Sequence, residues 1–343
     1  QYVFLPSVND SNCRKYRKPG SLYNQFFRSS HTLKRYEGLI VFYRVCHFVS
    51  SLFLSYLCHQ TIKKTKMKTY PVVLSIAGSD CSGGAGIQAD IKTISALGAY
   101  AASVITAVTV QNTRGVKAVH TVPAEIVQGQ IEAVMEDLRP DALKIGMVSE
   151  PALVKIIAGC LLKYPHCPIV YDPVMVSTSG RKLMAKDAIQ LIKEELFPLT
   201  SLITPNLDET EVLTGKKITT AEEMKEAARQ LSEEYHTAVL VKGGHLEGNE
   251  MQDVLFTDGN AYIYKEKKIE SRNLHGTGCT LSSSIATYLA LGLPMDQAVG
   301  KAKSYVSKAI DAGKEIIIGH GNGPLCHFWG PEKARIWDDN KVE

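Results

Sequence analysis

From position 67 onward the chain alternates between short apolar runs and longer stretches with helical period. Residues 72–77 are largely apolar and stop at Gly78, the pattern of a strand buried on both faces of a parallel sheet. Residues 86–97 follow as a helix, and 102–110 as a second β run. A helix over 125–138 closes at Arg139-Pro140, because the residue before a proline is pushed out of the helical region. Four further short strands are predicted at 142–145, 169–171, 202–204 and 238–241. Helical patterns at 151–162, 187–196, 207–213 and 221–234 lie around and between them. Residues 254–257 and 261–264, split by Asp258-Gly259-Asn260, read as a hairpin. Two late helices are predicted at 277–291 and 295–312. Such alternation specifies an α/β domain, with a mainly parallel central sheet covered by helices on both faces.

Residues 1–66 do not follow this pattern. They hold two glycines and no clean period of 2 or 3.6. Eleven Lys/Arg stand there against Asp10 and Glu37, so the net +4 of the 343-residue chain hides a segment at +9 and a body at −5. A mildly acidic body lacks the basic surface that nucleic-acid binding needs. Residues 38–58 are apolar enough to resemble a membrane span, but Arg44 and His47 lie inside, and a central arginine costs about 2.5–3.5 kcal/mol on insertion scales. No small-residue cleavage site follows, and the segment is not the Arg/Ser-rich amphipathic helix of a transit peptide. Gln1 opens the chain, and Met67 stands just ahead of the first clear strand. The expectation is that 1–66 lie outside the native protein or are disordered, a membrane anchor being the weaker reading. Residues 67–330 then form one domain and 331–343 a tail. None of the eight cysteines forms a CxxC pair, and the five in the body are an odd number, which points to free thiols in the reducing cytoplasm.

In an open parallel sheet, ligands sit beyond the carboxyl ends of the strands. Three glycine-rich turns fall there: residues 78–86 after the first strand, Lys242-Gly243-Gly244-His245 after another, and His275-Gly276-Thr277-Gly278-Cys279-Thr280 ahead of a helix. The first has neither GxGxxG order nor a following GK[ST], so it is no dinucleotide fingerprint and no Walker loop. Four glycines in nine residues exceed what one tight turn needs, and glycine's use is close backbone approach to a ligand. The third has the sharper reading. Gly276, Thr277, Gly278 and Cys279 would present consecutive N–H groups at a helix N-terminus, an anion hole suited to a phosphoryl group in transfer. Lys242 could reach a phosphate. A thiol at a helix N-terminus is expected to have a lowered pKa, which makes Cys279 the candidate base for a substrate hydroxyl.

Six segments in this order carry a family resemblance: Gly78-Ser79-Asp80 with the run from Ser82 to Asp90, Gln111-Asn112-Thr113-Arg114-Gly115, Lys144-Ile145-Gly146-Met147, the run from Thr204 to Glu209, the run from Val241 to His245, and the run from His275 to Thr280. Together they resemble the ribokinase-like small-molecule kinases, and within them the bacterial hydroxymethylpyrimidine/phosphomethylpyrimidine kinases of thiamine synthesis. The resemblance runs from about Pro71 to Trp329. It implies ATP-dependent phosphorylation of 4-amino-5-hydroxymethyl-2-methylpyrimidine and then of its monophosphate, with Mg2+ as cofactor, in a homodimer. It makes Gln111 the residue that holds the pyrimidine, its amide offering donor and acceptor together. Gly78, Ala85, Asp90, Met147 and Val174 match positions lining the same pocket, although Met147 and Val174 alone would read as core. Asp172 and Glu209 match acidic residues near magnesium. Asn206, Lys242 and Thr277 match the nucleotide-phosphate side. Cys81 departs from the proline or serine that members often have. The competing readings are a pyridoxal kinase of the same branch and a non-catalytic pyrimidine sensor.

Overall fold

The computed structural model describes residues 68–164, 167–175, 186–244 and 250–338. The first 66 residues and His245 lie outside them. In chain order the strands are β1 (Lys68–Thr69), β2 (Val72–Asp80), β3 (Tyr100–Asn112), β4 (Gly115–Thr121), β5 (Ala142–Ile145), β6 (Ile169–Tyr171), β7 (Leu202–Ile203), β8 (Ala238–Lys242), β9 (Glu250–Thr257), β10 (Asn260–Lys267) and β11 (Trp337–Asp338). The helices are α1 (Gly86–Ala96), α2 (Ala124–Asp137), α3 (Pro151–Lys163), α4 (Lys186–Leu191), α5 (Leu207–Thr214), α6 (Ala221–Tyr235), α7 (Thr277–Ala290) and α8 (Met295–Gly313).

Among the described residues nine strands form one sheet, ordered β10-β9-β8-β7-β6-β5-β2-β3-β4. From β8 to β3 every pairing is parallel; β4, β9 and β10 add antiparallel edges. The period-2 alternation of the central strands feeds two cores. On one face Leu74, Ile76, Leu143 and Ile145 pack with residues of α2, α3 and α6. On the other Val73, Ala142, Val170 and Leu240 meet Ile94 of α1, Leu281 and Ile285 of α7, and Ala302 of α8. The chain starts its sheet at β2 and then builds outward in both directions, so the strand order reverses between β2 and β5. Beyond the carboxyl ends at that reversal lies the crevice where such sheets bind ligands.

Three features depart from the expectation. Residues 115–121 form β4, an antiparallel edge strand on β3. Their alternation is masked by Lys117 and His120 on a strand that packs only partly, so the core pattern that marks a strand is weak there. The helix expected over 187–196 is α4 continued by a π turn over Ile192–Leu196 and a 3-10 turn over Phe197–Leu199. Residues 331–338, set apart as a tail, run back along the body. Glu332 N–H donates to Ala96 O (2.8 Å), Arg335 N–H to Gly98 O (2.8 Å), and β11 pairs antiparallel with β1.

Candidate active site

A cavity of about 230 Å3 opens at the carboxyl ends of the parallel strands. Its lining brings together Gly78, Ala85, Gln111, Met147, Asp172, Val174, Asn206, Glu209, Lys242, Gly276, Thr277, Gly278 and Cys279. These thirteen residues meet because the sheet reverses as described; the exception among the expected residues is Asp90. That carboxylate is fully buried under the site, 2.8 Å from Lys144 Nζ and 2.6 Å from Ser75 Oγ. Its place on α1 faces the sheet interior, so burial and a lysine partner, rather than a pocket wall, account for it.

The first glycine turn is wound around Asp80, a residue to which the sequence reading gave no role. Asp80 Oδ1 accepts from Ser82 N–H (2.8 Å) and Ser82 O–H (2.7 Å), and Oδ2 from the N–H groups of Gly84 (3.2 Å) and Ala85 (2.9 Å). His275 Nε2 lies 2.8 Å from the same Oδ2. Burial alone would raise this carboxyl, but the bonds from His275 and Ser82 outweigh it and hold it well below the ordinary range. The signal was present: an Asp two residues before a Ser, opening a glycine run, is the signature of an Asx turn.

His275 couples this loop to Gln111. The Gln111 amide lies 3.0 Å from His275 Nε2 and 3.2 Å from Thr109 Oγ1, whose hydroxyl also reaches Ser79 O at 3.0 Å. One Nε2–H cannot donate to Asp80 and also accept from an amide N–H. The proton count is met when the His275 Nε2–H is shared between Asp80 and a Gln111 carbonyl turned toward it. The Gln111 NH2 then donates to Thr109, whose own proton goes to Ser79. Backbone contacts to the Cys81 thiol, at 3.1 and 3.4 Å, tie Gln111 to the glycine turn as well.

The third glycine turn meets the first. Gly276 caps α7 at φ +89°, and a Cβ there would lie 1.9 Å from Gly84 O. Only glycine fits that conformation and that approach. The Thr277 N–H already bonds Leu274 O (3.3 Å) and its hydroxyl the same oxygen (2.6 Å), while Thr280 N–H makes the first intrahelical bond, to Gly276 O. Of the four amides expected to face an anion, that of Thr277 is therefore engaged, which leaves Gly276, Gly278 and Cys279. A Cβ on Gly278 would sit 3.2 Å from Asp172 Oδ2 and 3.5 Å from Lys242 Nζ, so these charges border the hole.

Lys242 Nζ donates to Asp172 Oδ1 (2.8 Å), which also accepts from Thr204 Oγ1 (3.1 Å). Glu209 is buried and closes a capping box on α5: Asn206 N–H donates to its Oε2 (2.8 Å), and its own N–H to Asn206 Oδ1 (2.9 Å). Burial, with Asp172 nearby, pushes the Glu209 carboxyl up to about 7 against the pull of Lys242. Two buried carboxylates side by side, Glu209 and Asp172, form a donor set that a hydrated divalent cation would fit. No cluster of three or more metal-ligating side chains occurs among the described residues.

Cys279 corrects the expectation of a low-pKa thiol. Burial pushes it up to about 11, with Asp90 and Asp172 adding to the rise, and neither Lys144 nor the Gly86 backbone bond compensates. Desolvation is the largest influence on the thiol, and it overrides the lowering expected at a helix end.

A family model described as phosphomethylpyrimidine kinase matches residues 80–326. The chain belongs to the phosphomethylpyrimidine kinase family. It is 52% identical over 272 residues to the hydroxymethylpyrimidine/phosphomethylpyrimidine kinase of Rhizobium meliloti (strain 1021), covering 78% of this chain and 99% of that one. The crystal structure of phosphomethylpyrimidine kinase from Clostridium difficile 630 superposes with a TM-score of 0.63 at 46% identity, covering 70% of this chain and 99% of that one. Pyridoxal kinase from Staphylococcus aureus, in complex with AMP-PCP and pyridoxal, gives a TM-score of 0.69 at 29% identity, covering 76% and 94%. The α/β sheet with helices on both faces is thus the fold of this kinase family, and members of the family are phosphotransferases. Among the described residues no helix is long and apolar enough to cross a membrane.

Proposed function

We propose that this chain transfers the γ-phosphoryl group of ATP to the hydroxymethyl oxygen of 4-amino-5-hydroxymethyl-2-methylpyrimidine. A second transfer to the resulting monophosphate then gives the diphosphate used in thiamine synthesis. The observation that carries this reading is one cavity with two unlike ends. At one end Gln111, anchored by His275 and Thr109, faces apolar Met147 and Val174, a wall suited to a flat aminopyrimidine. At the other, Gly278 and Cys279 amides, Lys242 and two carboxylates surround the place for a phosphoryl group.

In each transfer the acceptor oxygen forms a bond to the γ-phosphorus as the bridge to ADP breaks. The first acceptor is an alcohol, whose proton passes to solvent water as the O–P bond forms; the second is already ionised. Charge on the transferred group is spread over the α7 amides and Lys242, which exchanges Asp172 for phosphate oxygen. Mg2+, held near Asp172 and through water near Glu209, would neutralise phosphate charge and align the two reactants. Asn206 fixes the α5 end beside the phosphates, and Gly78 and Ala85 let the substrate ring lie against backbone. We also propose a homodimer in the cytoplasm, with residues 1–66 dispensable: a chain beginning at Met67 is expected to keep full activity.

A pyridoxal kinase is the second reading, supported by the likeness to the Staphylococcus aureus enzyme. Steady-state kinetics on the pyrimidine alcohol and on pyridoxal, each with ATP and Mg2+, separate the two. A kcat/KM higher for pyridoxal would replace the first reading with the second. Phosphorylation of neither would leave the sensor.

A further inference from the structure

β5 alternates strictly. Leu143 and Ile145 enter the core on one face of the sheet, and Ala142 the core on the other, where α1, α7 and α8 pack. The same period sends Lys144 to that second face, beneath α7. No part of its side chain reaches solvent. The ammonium lies 2.8 Å from Asp90 Oδ2 on α1, and Ser75 on β2 donates to the same oxygen at 2.6 Å. Asp90 Oδ1 meets no hydrogen-bond donor among the described residues. At the end of β5 a Cβ on Gly146 would come within 2.8 Å of Lys144 Nζ, so the glycine leaves the ammonium its space. Helix α7 packs on α1, β2, β5 and β6, and Cys279 in its first turn is close enough to feel the charges of both Lys144 and Asp90.

Stability is a weak reason for such a pair, since apolar residues of similar volume commonly serve as well or better. Seen from α7 the two charges do not cancel. Burial is the largest influence on the Cys279 thiol, and Lys144 is the next, acting in the opposite sense and ahead of Asp90. The ammonium also lies against Gly146, at the carboxyl end of β5 that leads to Met147 of the cavity, so the positive member of the pair is set toward the site.

Resting on the kinase reading above, we propose that Lys144, held in place by Asp90, is a positioning residue whose buried ammonium supports, from beneath α7, the negative charge gathered at the anion hole during phosphoryl transfer. It touches neither reacting atom. A fixed charge behind the transferred group acts whichever nucleophile arrives, so it serves both phosphorylations and acts on kcat rather than on KM.

The double variant Asp90→Asn with Lys144→Met removes both charges at nearly constant volume and leaves neither orphaned. Its kcat is expected to fall about tenfold or more for the alcohol and for the monophosphate alike. That is less than the loss of a donor in direct contact, because the charge lies one layer back. Both KM values should stay within about twofold and the melting temperature should hold or rise. A second measurement needs no acceptor: the affinity of the chain with Mg2+ for ADP plus aluminium fluoride, a mimic of the phosphoryl group in transfer, should fall about tenfold while that for ADP alone is unchanged. A folded double variant with wild-type kcat and wild-type fluoride affinity overturns the proposal. Should the double variant not fold, Asp90→Asn alone decides. It keeps the ammonium and loses the opposing carboxylate, so fluoride affinity at or above wild type supports the proposal, and a tenfold fall overturns it. A wild-type chain that phosphorylates no pyrimidine defeats the kinase reading itself, while the fluoride arm still judges Lys144.

Discussion

The two ends of the cavity treat buried charge in opposite ways. Around Asp80 five donors converge on one carboxylate, and the group is more acidic folded than free. Around Glu209, Asp172 and Cys279 acidic groups are crowded together in the buried interior: Glu209 is pushed up to about 7 and Cys279 to about 11. The first end is finished by folding. On the kinase reading proposed above, the second would be finished by a cation and a phosphate. A substrate wall must be rigid before binding in order to select, whereas a transfer site works by holding back interactions until charge is delivered to it.

The largest effect is expected where the two ends touch. Gly276→Ala places a Cβ on Gly84 O and on a left-handed backbone. It should lower kcat for both phosphorylations by about 10²-fold or more, since both the hole and the glycine turn must shift. A variant with normal kcat would mean that the two turns are not one unit.

Stability gives the next test, through effects of opposite sign. Asp80→Asn removes the charge that five donors point at and should cost about 3 kcal/mol in urea unfolding at pH 7. Glu209→Gln, without metal, should stabilise at pH 8. The sign follows from linkage. A carboxyl raised from 4.5 to about 7 binds its proton more tightly when folded, so wild-type stability is lost as pH climbs through that window. The glutamine variant lacks that loss, and its stability should be flatter between pH 5 and pH 8. Destabilisation by both substitutions would erase the contrast.

Gln111→Leu separates the ends by kinetics. An unmade buried hydrogen bond costs about 1–3 kcal/mol, so KM for the pyrimidine should rise about tenfold or more while KM for ATP stays put. Equal effects on both would show that Gln111 belongs to no particular end. The smallest change is expected from Cys279→Ser. With the thiol near 11, almost no thiolate exists at pH 7. Both transfers should therefore slow by less than about tenfold and by the same factor, with the alcohol step flat between pH 7 and pH 9. A selective loss in the alcohol step, rising with pH in the wild type, would restore the thiolate as base.

Much of this was legible in the chain. The parallel strands announced themselves because they are buried on both faces, and the glycine turns because backbone approach leaves no room for a Cβ. β4 was not, since an edge strand that packs on one side needs no clean apolar pattern. Asp90 was misread, and Lys144 passed over, for a different reason. Nothing in local spacing says that a carboxylate on one helix and a lysine on a strand fifty-four residues later will meet in the core. Cys279 failed on magnitude: the helix end is a local feature and can be read, whereas desolvation depends on everything packed above it.

The pairing of β1 with β11 has a consequence for how the domain can be joined to other sequence. Lys68 and Asp338 are register partners, so entry to and exit from the fold occur side by side. β1 leads directly into β2, at the amino ends of the parallel strands, while the cavity opens at the carboxyl ends. A partner domain spliced onto either side would therefore leave the mouth of the cavity clear. A circularly permuted chain, its old ends bridged by a few residues and reopened at the 258–260 hairpin turn, should assemble the same sheet.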